Sequence, residues 1–116
     1  MNKLHLLAGL PRTGTTVLSA ILNQNPEIYV STTSAFVEVL WRNYSIWQEE
    51  KERASLDTAA IRLMKKKYLR NVGNMWFENL TDKPIVIDKR RIWHAIANIK
   101  MYKEVYGVQP KIICTV

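Results

Sequence analysis

The feature that most limits what this chain can fold into is a loop near its start, Gly9-Leu10-Pro11-Arg12-Thr13-Gly14-Thr15-Thr16. It follows a short apolar run, residues 3–9, that suits a buried strand. It precedes a segment with Val17, Leu18, Ile21 and Leu22 at helical spacing. A G-x-x-x-x-G loop between a strand and a helix wraps successive backbone N–H groups around a hollow at the helix N-terminus, where the dipole also favours an anion. Thr13, Thr15 and Thr16 add hydroxyls. A nucleoside-triphosphate P-loop carries Lys where this chain has Thr15, so Arg12 is the loop's only cation. The plainer alternative is a Gly-Pro turn with a solvated Arg12. Glycine spacing, loop arginine, hydroxyls and flanking elements occur together, and that conjunction favours an anion site.

The rest of the chain continues the alternation. Asn25-Pro26 closes the first helix, and residues 28–30 can form a short strand. Ser34 is placed to N-cap a helix running to about Arg53, with Phe36, Leu40, Tyr44 and Trp47 on one stripe and Val37 and Trp41 beside it. Asp57 opens another helix, with Ile61, Met64, Tyr68, Val72 and Met75 on one face and a weak point at Gly73. Pro84 introduces Ile85-Val86-Ile87, which closes on Asp88. A further helix turns Ile92, Ile96, Ile99 and Tyr102 inward, Gly107 falls at a left-handed C′ position, and residues 111–116 read as a last strand.

Apolar strands alternating with amphipathic helices specify an α/β fold, a P-loop-like three-layer sandwich with a mostly parallel sheet. A loop at a switch point needs a strand on either side. Strand 4–8 is therefore expected between 85–88 and 112–115, with 28–30 outside 85–88. The chain stops at the carboxyl end of a strand, so residues 1–116 are read as the amino-terminal part of a single domain, incomplete at the carboxyl end.

Composition narrows the function classes. At 116 residues with 47% apolar and 23% charged side chains, the chain is globular rather than disordered. Lys and Arg exceed Asp and Glu by 17 to 10, a net +7 that favours anionic partners without choosing among them. A single cysteine, Cys114, excludes an internal disulfide and a cysteine-rich zinc site, and fits a reducing compartment. No apolar run approaches the roughly 18 residues of a membrane span. Pro11-Arg12 ends the first apolar run without a small-residue cleavage site, so a cytoplasmic protein without a membrane partner is expected. Lys65-Lys66-Lys67 and Arg70 point around most of a helix and read as a solvated face, which disfavours nucleic acid as a partner. Trp41, Trp47, Trp76 and Trp93 fall at or beside apolar helical positions and read as core.

The stretch from Leu7 to Thr16, followed by Leu22 and Asn25-Pro26-Glu27, resembles the opening of the sulfotransferase superfamily. It is closest to the branch containing tyrosylprotein, carbohydrate and many bacterial and phage sulfotransferases. The resemblance implies phosphoadenosine phosphosulfate as co-substrate, no metal, and a hydroxyl or amine of a small-molecule, glycan or peptide acceptor. Pro11, Arg12, Thr13, Gly14, Thr15 and Thr16 would form the cofactor loop. Arg12 would contact the bridging oxygen and the transferring sulfuryl group, with Thr13 standing for the commoner Ser. Lys89 matches a family lysine that assists transfer, whereas Arg90 and Arg91 replace its Asp and Pro. Three cations entering a helix N-terminus oppose its dipole by ~0.3–1 kcal/mol each, a conflict that a nearby anion would relieve.

Other candidates divide between chemistry and packing. His94 could take a proton from the acceptor, since imidazole titrates near neutrality, or it could simply pack beside Trp93. Asp88 imitates a magnesium-binding acid or holds the loop, and Glu38 reads as an ordinary exposed carboxylate. The family's carboxylate base would fall near Thr33, where there is none. Its ribose-phosphate site would begin beyond Val116. The 116 residues alone are accordingly expected to be inactive, to bind the cofactor weakly and to self-associate through uncovered sheet surface. The alternatives are a P-loop nucleotide-dependent kinase, or a non-catalytic basic nucleotide- or nucleic-acid-binding module.

Overall fold

In the computed structural model, which describes residues 3–9, 14–31, 34–54 and 59–115, β1 (Lys3–Gly9) runs through the middle of a four-stranded sheet. β2 (Ile28–Val30), β3 (Ile85–Lys89) and β4 (Ile112–Thr115) join it in the order β2-β3-β1-β4, and every pairing is parallel. This is the strand order expected from the loop's place in the sequence. Lys3 pairs with Ile85 and Leu7 with Lys89, whereas β4 pairs only with the second half of β1, from Leu6 to Gly9.

The period of two along β1 divides the core. Leu4, Leu6 and Ala8 face three helices: α2 (Phe36–Ala54), α3 (Ala59–Glu78) and α4 (Ile96–Tyr106). Leu7 and Ile87 face the single helix α1 (Thr15–Asn23) through Leu18 and Leu22. The architecture is the three-layer sandwich, with very unequal layers. Val17 and Ile21, which share α1's apolar spacing, stay 64% and 56% exposed because no element lies beyond α1 on that side among the described residues. Asn23 at the end of α1 treats the edge strand as a neighbouring strand would. Its side-chain oxygen accepts from the Val30 N–H at 2.8 Å, and its Nδ2 donates to the Val30 carbonyl at 3.2 Å.

Ser34 acts as expected at the start of α2, its hydroxyl accepting from the Phe36 N–H at 3.1 Å. Phe36 and Leu40 are fully buried behind it. The expected N-cap at Asp57 lies outside the described residues. In α3 the inward stripe is one position away from the one the sequence suggests. Lys65, Leu69, Gly73 and Phe77 are buried, whereas Met64, Tyr68 and Met75 are exposed. Phe77 decides this register by packing edge-on to Phe36 at 4.8 Å. Lys65 is tolerated inside because Nζ donates to Gln48 at 2.8 Å and to Glu104 at 2.6 Å, over the Tyr44 ring. That residue therefore does not belong to a solvated basic face. Gly73 is buried within α3, which runs on to Glu78 without a break.

The segment after β3 also departs from expectation. Arg90 is extended at φ −157°, ψ 132°, then a 3-10 turn (Arg91–His94) intervenes, and Ala95 is extended again before α4 begins. The basic triplet thus never enters the first turn of an α-helix. This interruption shifts the helical phase, leaving Ile96 72% exposed while Tyr102 is buried. Gly107 closes α4 at φ +72° with its N–H on the Lys103 carbonyl at 2.8 Å, as the sequence predicts.

Candidate functional site

Because all four strands are parallel, their carboxyl ends share one edge of the sheet, where open α/β folds bind ligands. The ends of β1, β2 and β3 and the start of α1 lie along that edge. Of the residues assigned to the anion loop, Pro11, Arg12 and Thr13 lie outside the described residues, as does Thr33, and Gly14, Thr15 and Thr16 lie within them.

Gly14 takes the left-handed conformation, φ +87° and ψ 12°, and its carbonyl accepts the first helical bond from Leu18 N at 2.9 Å. A side chain at this position would meet nothing within 4 Å, so glycine serves the turn rather than a close approach. α1 then starts with no side-chain cap among the described residues and no acidic residue in its first turn. Its initial N–H groups, at the ligand edge of the sheet, have no intrahelical partner. Ser19 is turned inward and donates to the Thr15 carbonyl at 2.6 Å, fixing the first turn from behind.

From the neighbouring strand, Lys89 ends β3 and extends Nζ to within 3.4 Å of Thr16 Oγ1. That is long for a strong hydrogen bond, but it sets the ammonium beside the open helix terminus. The structure therefore brings together two sequence-identified positions that are 73 residues apart.

Behind Lys89 lies a network that sequence reasoning did not identify. Asp88 is fully buried. Its Oδ1 accepts from Ser31 Oγ at 3.1 Å and its Oδ2 from Trp93 Nε1 at 2.7 Å. Ser31 Oγ in turn accepts the Lys89 N–H at 2.9 Å. One carboxylate thus ties the end of β2, the end of β3 and the 3-10 turn, and fixes the backbone from which Lys89 extends. Burial raises the Asp88 pKa, against hydrogen bonds from Ser34, Trp93 and Ser31 that lower it, with Glu38 adding to the rise.

Glu38 is not an ordinary exposed carboxylate. Its Oε1 accepts from Arg90 Nε at 2.7 Å and pairs with the same guanidinium through Nη2. Its Oε2 is buried without a hydrogen-bond partner among the described residues. Arg90 is thereby held by α2, leaving Lys89 as the β3-end cation directed at α1. His94 stays exposed on the 3-10 turn, and its Nδ1 meets the Arg91 carbonyl within that turn. A carbonyl only accepts, so Nδ1 carries the hydrogen in the neutral ring and Nε2 keeps its lone pair. Among the described residues no cluster of His, Cys, Asp and Glu could hold a metal ion. No helix there is long and apolar enough to cross a membrane.

A family model described as the sulfotransferase family matches residues 6–109, most of the chain. A search among curated proteins finds no significant match.

Proposed function

The chain belongs to the sulfotransferase family, and we propose that its donor is phosphoadenosine phosphosulfate, bound where α1 meets the loop after β1. The observation that carries this reading is the convergence of Lys89 Nζ on Thr16 Oγ1 at the N-terminus of α1, which no described side chain caps. Backbone N–H groups of an αL-entered helix, two hydroxyls and one ammonium form a suitable cradle for a 5′-phosphosulfate. Gly14, Thr15 and Thr16 hold the 5′-phosphate in this proposal, with Pro11, Arg12 and Thr13 completing the loop.

The acceptor is a hydroxyl or amine of a small molecule, glycan or peptide. Its lone pair attacks sulfur, the S–O bond to the 5′-phosphate breaks, and the bonding pair leaves on adenosine 3′,5′-bisphosphate. Arg12 and Lys89 stabilise the charge growing on that oxygen. Nε2 of His94, left free by the Nδ1 contact to Arg91, receives the acceptor's proton.

Titration calorimetry with adenosine 3′,5′-bisphosphate and with magnesium ATP tests the reading. The bisphosphate is expected to bind in preference. Arg12→Ala and Lys89→Ala should each weaken it about tenfold or more, as loss of a charge-assisted contact worth ~1.5–3 kcal/mol requires. Preference for magnesium ATP, or unchanged affinity in both variants, overturns it.

A further inference from the structure

The opposite edge of the sheet carries a second set of cations that the sulfuryl-transfer reading does not use. A cavity of about 490 Å³ opens there between α3, α4 and the starts of β1 and β4. Three permanent cations line it, Lys3, Arg70 and Lys111, and no carboxylate does. β1 separates it from the Gly14 turn by the length of seven residues, roughly 20 Å of strand.

Three observations distinguish this cavity from a patch of solubilising lysines. Arg70 is placed rather than free: its Nε donates to the Val105 carbonyl at 2.7 Å, and its guanidinium lies against Gly107. One edge of the planar fork is thus fixed and the other donors remain. Tyr106 also lines the cavity, presenting ring surface to it while its hydroxyl is buried away from solvent. The neighbouring Tyr102 hydroxyl donates to the Leu4 carbonyl at 2.7 Å. Finally, His5 on the same wall is held below its usual pKa by burial first and then by Lys111 and Lys3, so both ammonium groups act on one region.

Tyr102 and Tyr106 pack against each other with ring centroids 4.7 Å apart and planes tilted by 41°, Leu4 and Val108 add apolar surface, and Asn74 and Gln109 add amides. We propose that this cavity is a binding site for a small organic anion, a phosphate or sulfate monoester on a flat apolar body, with its charge between Arg70 and Lys111 and its body against the two tyrosines. A cavity of this volume suits a small molecule rather than a polymer segment. The site is independent of the donor site and does not rest on the reading of it.

The test uses the whole chain and phenyl phosphate, followed by amide NMR shifts and calorimetry, with inorganic phosphate as the control. Shifts should fall on Val108, Gln109 and Lys111 and persist when adenosine 3′,5′-bisphosphate is saturating. Phenyl phosphate should bind more tightly than inorganic phosphate, and Lys111→Gln should weaken it about tenfold, the loss expected for one charge-assisted contact. Lys3→Gln separates binding from folding. Its side chain is exposed, so the free variant should melt no lower than the parent while binding phenyl phosphate several-fold more weakly. Shifts confined to Gly14, Thr15, Thr16 and Lys89, equal binding of inorganic phosphate, or unchanged affinity in both variants would overturn the proposal.

Discussion

Replacing Asp88 separates the work of its shape from the cost of its charge. The carboxylate is fully buried and accepts from Ser31 Oγ and Trp93 Nε1. Asp88→Ala strands at least the Ser31 and Trp93 donors. At ~1–3 kcal/mol for each buried group left unsatisfied, the loss should be about 3–5 kcal/mol, a large part of the ~5–15 kcal/mol that holds a domain together. Asp88→Asn keeps an oxygen for Trp93 and turns its amide toward Ser31, whose oxygen has a second lone pair, so about 1–2 kcal/mol is expected.

The pH dependence is sharper than either number. Burial raises the Asp88 pKa in the folded chain. The folded state therefore holds the proton at pH values where the unfolded chain has released it, and unfolding free energy falls as pH rises. Below the ordinary carboxylate pKa both states are protonated and the effect is absent. Above the raised value the full cost of burying the charge is felt. Asn cannot ionise, so the parent should lose ground to Asp88→Asn between the ordinary carboxylate range and the raised value. Urea melts of both proteins, repeated across weakly acidic to neutral pH, measure this directly. If the parent instead gains on the variant as pH rises, the hydrogen bonds outweigh desolvation and the reasoning fails.

Three further outcomes follow from the described contacts. Gly14→Ala should cost about 1–2 kcal/mol in chemical melts, from backbone strain alone, since φ is +87° and the space around the new methyl is open; an unchanged midpoint would refute the strain. Lys65→Ala should destabilise by about 1–3 kcal/mol, because it removes a buried donor from Gln48 and Glu104, and a neutral result in thermal melting would return Lys65 to the solvated face. Val17 and Ile21 stand exposed on the thin layer, so sedimentation velocity should show self-association that Val17→Glu with Ile21→Glu reduces.

What the sequence disclosed and what it withheld divide along the range of the interactions. Strand order follows from the general rule that places a loop at a switch point between two strands. The Ser34 contact at α2 and the left-handed Gly107 follow from local rules, capping hydroxyls and the freedom of glycine at positive φ. The α3 register does not, because two adjacent stripes are both plausible by period. Contacts with Phe36, Gln48 and Glu104, which come from other helices, choose between them. The Asp88 network was hidden for the same reason. Ser31 lies 57 residues away, and no local pattern marks a serine at a strand end as the partner of a distant carboxylate. Lys89 and Thr16 were each legible, since each ends or begins an element beside a recognisable loop; their contact became visible only when β3 paired with β1.

The basic triplet shows how such a conflict is resolved in three dimensions. On the sequence, Lys89, Arg90 and Arg91 lead into a helix and oppose its dipole. In the fold the helix yields instead: Lys89 remains in the strand, Arg90 is extended, and α4 begins at Ile96 with an uncharged first turn. Glu38 then holds Arg90 from α2, while Asp88, which might have paired with Lys89, is turned inward to Ser31 and Trp93. Both neighbouring carboxylates are engaged elsewhere, so neither takes the Lys89 ammonium from the ligand edge. Its closest described partner there is a neutral hydroxyl at the positive end of α1, an arrangement that two like electrostatic sources would disfavour unless an anion came between them.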